Sequence, residues 1–169
     1  MNAVEEHRQA APKTLGFGVL TVSDSRNAAT DTGGQLIRER ILTAGHRVMG
    51  SALVKDEAEE IVAAVRRLLA TEGVEVVVTT GGTGFSPRDV TVPALAPLFE
   101  LEVPGFGELF RMLSYREVGA AAMLSRATAG IIDRRPIFLL PGSPKAVELA
   151  MTALVLPEAA HLTGLLRRT

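Results

Sequence analysis

The stretch that most constrains this chain is a valine-rich run that breaks into glycines. Val74, Val76, Val77 and Val78 are β-branched residues with the pattern of a strand buried on both faces. Such strands belong to parallel sheets covered by helices, so this run alone argues for an α/β architecture. It passes directly into Thr79-Thr80-Gly81-Gly82-Thr83-Gly84-Phe85-Ser86-Pro87-Arg88-Asp89. Gly81, Gly82 and Gly84 permit positive φ and let backbone N–H groups approach a ligand. Thr79, Thr80 and Thr83 add hydroxyl donors, and Arg88 and Asp89 close the loop with one charge of each sign. The stretch reads as a cradle for an anionic group with a carboxylate at its rim. The alternative is a plain turn after a strand, with Asp89 capping the next helix. Neither standard phosphate fingerprint is present. Pro87 stands at the sixth position of the G-x-G that begins at Gly82, and no Lys-Ser or Lys-Thr follows.

Strand and helix patterns alternate along the rest of the chain. Strands are expected at 15–22, 47–54, 74–79, 128–132 and 136–140. Helices are expected at 33–44, 56–72, 91–98, 105–115 and 145–156, with a helical turn at 119–124. Asp31 or Thr32 caps the first helix and Gly45 ends it; Asp56 opens the second as a candidate N-cap and Gly73 stops it. Thr91 is a candidate N-cap for the short helix after the glycine loop, and Pro157 restarts a last helix running to Leu166. Alternation of this kind gives a mostly parallel sheet, and the tight turn at 133–135 adds an antiparallel or edge strand, making the sheet mixed.

In open α/β sheets ligands sit beyond the carboxyl ends of the strands. Four polar clusters fall at such ends: Ser23, Asp24 and Ser25; Asp56; the loop carrying Thr80, Gly81, Gly82, Thr83 and Gly84; and Pro141, Gly142, Ser143 and Pro144. Two glycine loops offer backbone donors to phosphates. Asp56 and Asp89 are the carboxylate pair that suits Mg²⁺ held together with substrate phosphate oxygens. Each has a structural alternative, Asp56 as a helix cap and Ser143 as a turn residue. Lys145 is either an anion contact or a solvated lysine.

Composition excludes several classes. A chain of 169 residues with 47% apolar content is expected to form one domain over 14–169, behind a flexible leader at 1–13. Net charge of −1 argues against a nucleic-acid partner. Cysteine is absent and His7, His46 and His161 are scattered, so no disulfide, thiol nucleophile or structural zinc site is expected. The polar start of the chain lacks an apolar signal core, which points to a cytoplasmic protein with no membrane partner. Apolar excess at 105–115 and 145–156 points to self-association.

Four ordered motifs carry a family resemblance: Thr79-Thr80-Gly81-Gly82-Thr83-Gly84 with Arg88-Asp89-Val90-Thr91, Val103-Pro104-Gly105-Phe106-Gly107-Glu108, Leu124-Ser125-Arg126 with Ala129-Gly130, and Leu140-Pro141-Gly142-Ser143-Pro144-Lys145-Ala146. The chain resembles the MoaB/Mog family of molybdenum-cofactor biosynthesis proteins over about 16–156, and the segment at 106–119 leans to the MoaB branch. The resemblance implies a three-layer αβα fold that binds molybdopterin and assembles as a trimer or a multiple of trimers. It also implies possible contact with other proteins of the pathway. In active members molybdopterin is adenylylated with MgATP as co-substrate and pyrophosphate is released. The alternative is a non-catalytic molybdopterin-binding or scaffolding protein. On this resemblance Asp56 and Asp89 are the catalytic, Mg²⁺-linked carboxylates. Ser23, Asp24, Ser25, the 80–84 loop, Gly142 and Ser143 are the ligand-binding set. Two departures stand out: Gly33 where the family often has serine, and Pro93 one place later than the family's proline.

Overall fold

The computed structural model describes residues 11–167, so most of the expected leader, residues 1–10, lies outside the described residues. A six-stranded sheet in the order β2-β1-β3-β6-β5-β4 forms the middle layer. Its strands are β1 (Gly16–Val22), β2 (Arg47–Val54), β3 (Val76–Thr80), β4 (Leu101–Glu102), β5 (Thr128–Ile132) and β6 (Arg135–Leu140). Pairing is parallel for β1 with β2, β1 with β3, and β3 with β6, and antiparallel for β5 with both β4 and β6. The sheet is mixed, as expected. The two-residue edge strand β4 was not expected, because two exposed residues give no alternation to read.

Helices cover both faces. On one side α1 (Thr32–Thr43), α4 (Pro104–Val118) and the helix begun by α5 (Pro144–Ala150) close a core containing Phe17, Val76, Val78, Phe106, Phe110 and Phe138. On the other, α2 (Ala58–Ala70) and α3 (Thr91–Leu95) close a core around Leu20, Val77, Ile137 and Leu139. Val76 and Val78 of β3 therefore point into one core and Val77 into the other, which is why the first three residues of the strand are all apolar.

The expected break at Pro157 is absent. α5 continues through a π-helical turn at Met151–Val155 into α6 (Leu156–Leu166), forming one helix, Pro144–Leu166. Proline removes a backbone donor, and the widened turn before it accommodates the loss. By length and composition this helix is apolar enough to cross a bilayer. Its stripe of Val147, Ala150, Met151, Val155 and Ala159 is fully buried in the core on its face of the sheet.

Candidate functional site

Chain order moves outward from β1 to β2 and then returns to β3 on the other flank of β1. Loops leaving β1 and β3 consequently diverge, opening a crevice at their carboxyl ends. The parallel strands β1, β2, β3 and β6 send all four polar clusters to this one edge.

The glycine loop is built by close approach. Gly81 and Gly82 have φ of +101° and +68°. A Cβ on Gly81 would sit 2.1 Å from the Val22 carbonyl oxygen, and one on Gly82 2.2 Å from Thr91 Oγ1. Only glycine satisfies both the conformation and the space. The buried Thr91 hydroxyl donates to the Gly81 carbonyl at 2.8 Å, while its N–H donates to the Gly82 carbonyl at 3.1 Å. Thr91 thus braces the loop from inside α3; the N-cap position belongs to Val90, correcting the expected cap. Thr80 Oγ1 donates to the Pro141 carbonyl at 2.8 Å, and Gly81 N–H to Leu140 at 3.0 Å, tying the two glycine loops together. Position 33, where the family often carries serine, faces this junction: a Cβ there would lie 3.3 Å from Thr80 Oγ1 and 3.7 Å from the Gly142 carbonyl.

Held this way, the loop presents unused donors. Among the described residues, the N–H groups of Gly82, Thr83, Gly84 and Phe85 have no acceptor, and neither do those of Gly142 and Ser143. The cleft they border, about 370 Å³, is lined by the 81–84 loop, Asp89, Ala121, Leu124, Ser125, Pro141 and Gly142. A neighbouring cleft of about 240 Å³ shares Ala121, Ser125 and Pro141 and extends to Ser143, Lys145, Ser114 and Phe110. Ala121, Leu124 and Ser125 join the wall beyond the expected ligand set; Leu124 and Ser125 belong to the Leu124-Ser125-Arg126 motif, and Ala121 carries no sequence signal.

Asp89 Oδ2 accepts from Ser86 N–H at 2.8 Å, so Asp89 closes a turn within the loop and caps no helix. Its other oxygen has no hydrogen bond among the described residues. Asp56 is not a cap either: α2 starts at Ala58, with Glu57 at the N-cap position. Asp56 Oδ1 lies 3.3 Å from where a Cβ on Gly82 would be, so the carboxylate rests against the glycine loop, although Asp56 does not line the cleft. Burial pushes the Asp56 carboxyl above its ordinary range. The charges of Asp24 and Asp89 add to that, and the Asp24 hydrogen bond and Arg88 oppose it.

Ser23 and Asp24 act on their own neighbourhood. Ser23 Oγ accepts from the N–H groups of Ser25 and Arg26 at 3.3 and 3.1 Å. Asp24 takes two hydrogen bonds from Arg88, each 2.9 Å, and one from Asp56 N–H at 3.2 Å. The Arg88 guanidinium holds Asp24 below the usual carboxylate range. Arg88 also reaches Glu57 at 2.9 Å, linking the loops after β1, β2 and β3. Ser143 caps α5, its oxygen accepting from Ala146 N–H at 3.2 Å. No group of three or more Asp, Glu, His or Cys side chains among the described residues is arranged to hold a metal.

Residues 18–161 match a family described as a probable molybdopterin binding domain. The chain belongs to that molybdopterin-binding domain family. Its relatives include molybdenum cofactor biosynthesis protein B of Bacillus cereus, 48% identical over 98% of this chain and 99% of that protein. A crystal structure of a molybdenum cofactor biosynthesis protein B superposes with a TM-score of 0.90 at 49% identity, covering 94% of this chain and 99% of that one. The tungsten cofactor synthesizing protein MoaB from Pyrococcus furiosus gives 0.84 at 40% identity, covering 94% and 100%. Within this family, the glycine loop and Asp89 of this chain are the part of the fold that borders the cleft.

Proposed function

We propose that this protein acts in molybdenum cofactor biosynthesis by binding molybdopterin and adenylylating it with MgATP. The observation that carries the reading is the run of unpaired backbone donors at Gly82, Thr83, Gly84 and Phe85, with the Asp89 carboxylate beside it. Such a run stabilises phosphate charge without a protein nucleophile, which is what phosphoryl-type transfer asks of an enzyme. In the proposed step an oxygen of the molybdopterin phosphate attacks the α-phosphorus of ATP. The new O–P bond forms as the bond to pyrophosphate breaks.

The residues fit Mg²⁺ as an ion that arrives with the nucleotide. Mg²⁺ takes one or two carboxylates and completes its shell with phosphate oxygens and water, so no protein cage of three ligands is required. Asp89, and Asp56 against Gly82, would hold it, and the ion would supply neutralisation of phosphate charge. Gly142 and Ser143 N–H groups extend the donor surface. We place the reaction in the cytoplasm and the chain in a trimer or a multiple of trimers.

One observation favours a second reading, binding without turnover: Asp56 is not among the residues that line the cleft. Incubation of purified protein with molybdopterin and MgATP distinguishes the two. Adenylylated molybdopterin and pyrophosphate in equal amounts are expected; bound but unmodified molybdopterin would establish the second reading.

A further inference from the structure

Arg126 lies outside the ligand set assigned above, on the segment between the 3₁₀ turn Gly119–Leu124 and β5. Its Nε donates to the Gly84 carbonyl at 2.8 Å and its Nη2 to the Asp89 carbonyl at 2.6 Å. Its own N–H donates to the Thr83 carbonyl at 3.0 Å. Its guanidinium also lies 5.2 Å from the centre of the Phe85 ring. One half-buried residue therefore grips both ends of the excursion from Thr83 to Asp89.

The consequence follows from peptide geometry. In a planar trans peptide the N–H points opposite to the C=O. Drawing the Thr83 and Gly84 carbonyls towards Arg126 turns the Gly84 and Phe85 N–H groups away from it. These are two of the N–H groups that lack an acceptor. Holding the Asp89 carbonyl fixes the backbone on which that carboxylate is mounted. Arg126 is itself anchored: Arg111 of α4 donates to the carbonyls on either side of it, Ser125 at 3.3 Å and Ala127 at 3.0 Å.

We propose that Arg126 is a positioning residue that aims the glycine-loop donors and Asp89 at the phosphates without touching substrate, an inference that rests on the phosphate-binding reading of this loop. A lysine keeps the charge but lacks the planar fork needed to engage two carbonyls together.

The test compares wild type with Arg126→Lys and Arg126→Ala, Lys serving as the variant that preserves folding. In the adenylylation assay kcat should fall about a hundredfold in both, more than KM changes, because donors aimed at developing charge act chiefly in the transition state. Millimolar guanidinium should restore part of the Arg126→Ala activity. Calorimetric titration with inorganic pyrophosphate should show binding weakened about tenfold, the scale of one charge-assisted contact. Unchanged kcat in both variants of an active protein overturns the proposal, as does a loss that merely follows the folded fraction and ignores guanidinium. If wild type makes no product, the adenylylation reading fails. Pyrophosphate then decides alone: weaker binding by the variants upholds Arg126, and equal binding, or none by wild type, overturns it.

Discussion

Asp56 and Asp89 both meet the glycine loop, but on different terms, and their asparagine variants separate function from scaffolding. Asp56 is a half-buried carboxylate with no capping bond, and its pKa is raised by burial. A carboxyl whose folded pKa lies above its unfolded one binds its proton more tightly when folded. The resulting penalty is absent below the ordinary carboxylate range and complete once pH exceeds the folded pKa. At neutral pH Asp56→Asn should therefore melt at the wild-type temperature or higher, while adenylylation falls about a hundredfold, the scale of one lost electrostatic group. Asp89→Asn should also fold, since an amide oxygen can accept from Ser86 N–H, and should lose activity to a similar degree. Near-normal turnover in both variants would reduce these residues to scaffolding. His46 gives the opposite kind of signal, far from the site. Its Nδ1 accepts from Leu15 N–H at 3.2 Å, and burial depresses its pKa, with Glu75 opposing. A depressed histidine is neutral in the fold, so its contribution is whole above the unfolded value near 6.5. It is lost as pH falls through the folded pKa. Wild type should lose melting temperature on acidification through this window, and His46→Gln should flatten that part of the profile; identical profiles would exclude the histidine.

At the scale of elements, the parts that could be read from sequence are those where pattern and burial agree. β2 runs over 47–54 as expected, and β3 was legible because Val76, Val77 and Val78 face two cores and all three had to be apolar. The carboxyl-edge clusters were legible because parallel strands share direction. Boundaries decided by tertiary contacts were not. Thr91 looks like a cap, yet its hydroxyl is taken by Gly81, and Asp56 looks like a cap although the helix starts two residues later. β4 exists only through its pairing with Gly130 and Ile131, which no local pattern announces. Arg126 stands in a sequence motif, but its role is not legible there, because its side-chain partners lie 37 and 42 positions away. Ser143 shows how an element can claim a residue assigned to a ligand. If its main role is the cap of α5, Ser143→Ala should cost about 1 kcal/mol and Ser143→Asn should recover it. Thermal melts of the two variants check this; equal melts would leave Ser143 to the ligand alone.

At the scale of the whole molecule, most of the exposed large hydrophobic side chains among the described residues fall within 109–124. α4 exposes Leu109, Met112, Tyr115 and Val118, the following turn exposes Met123 and Leu124, and Met112, Tyr115 and Met123 border one surface depression. We propose that this exposed apolar cluster is a contact surface for self-association. It also adjoins the site: Leu124 lines the glycine-loop cleft, and Arg111, on the same helix, anchors the segment that carries Arg126. Assembly through α4 would thus bury the patch and stiffen the support of the glycine loop together. The protein should sediment as a stable trimer, or a multiple of it, at micromolar concentration. The double variant Met112→Glu, Tyr115→Glu should shift it towards monomer, because desolvating two new carboxylates opposes association. Light scattering checks both statements. A wild-type monomer would remove self-association from this account. An oligomer untouched by the double variant would move the interface away from α4 and sever it from the Arg111 support.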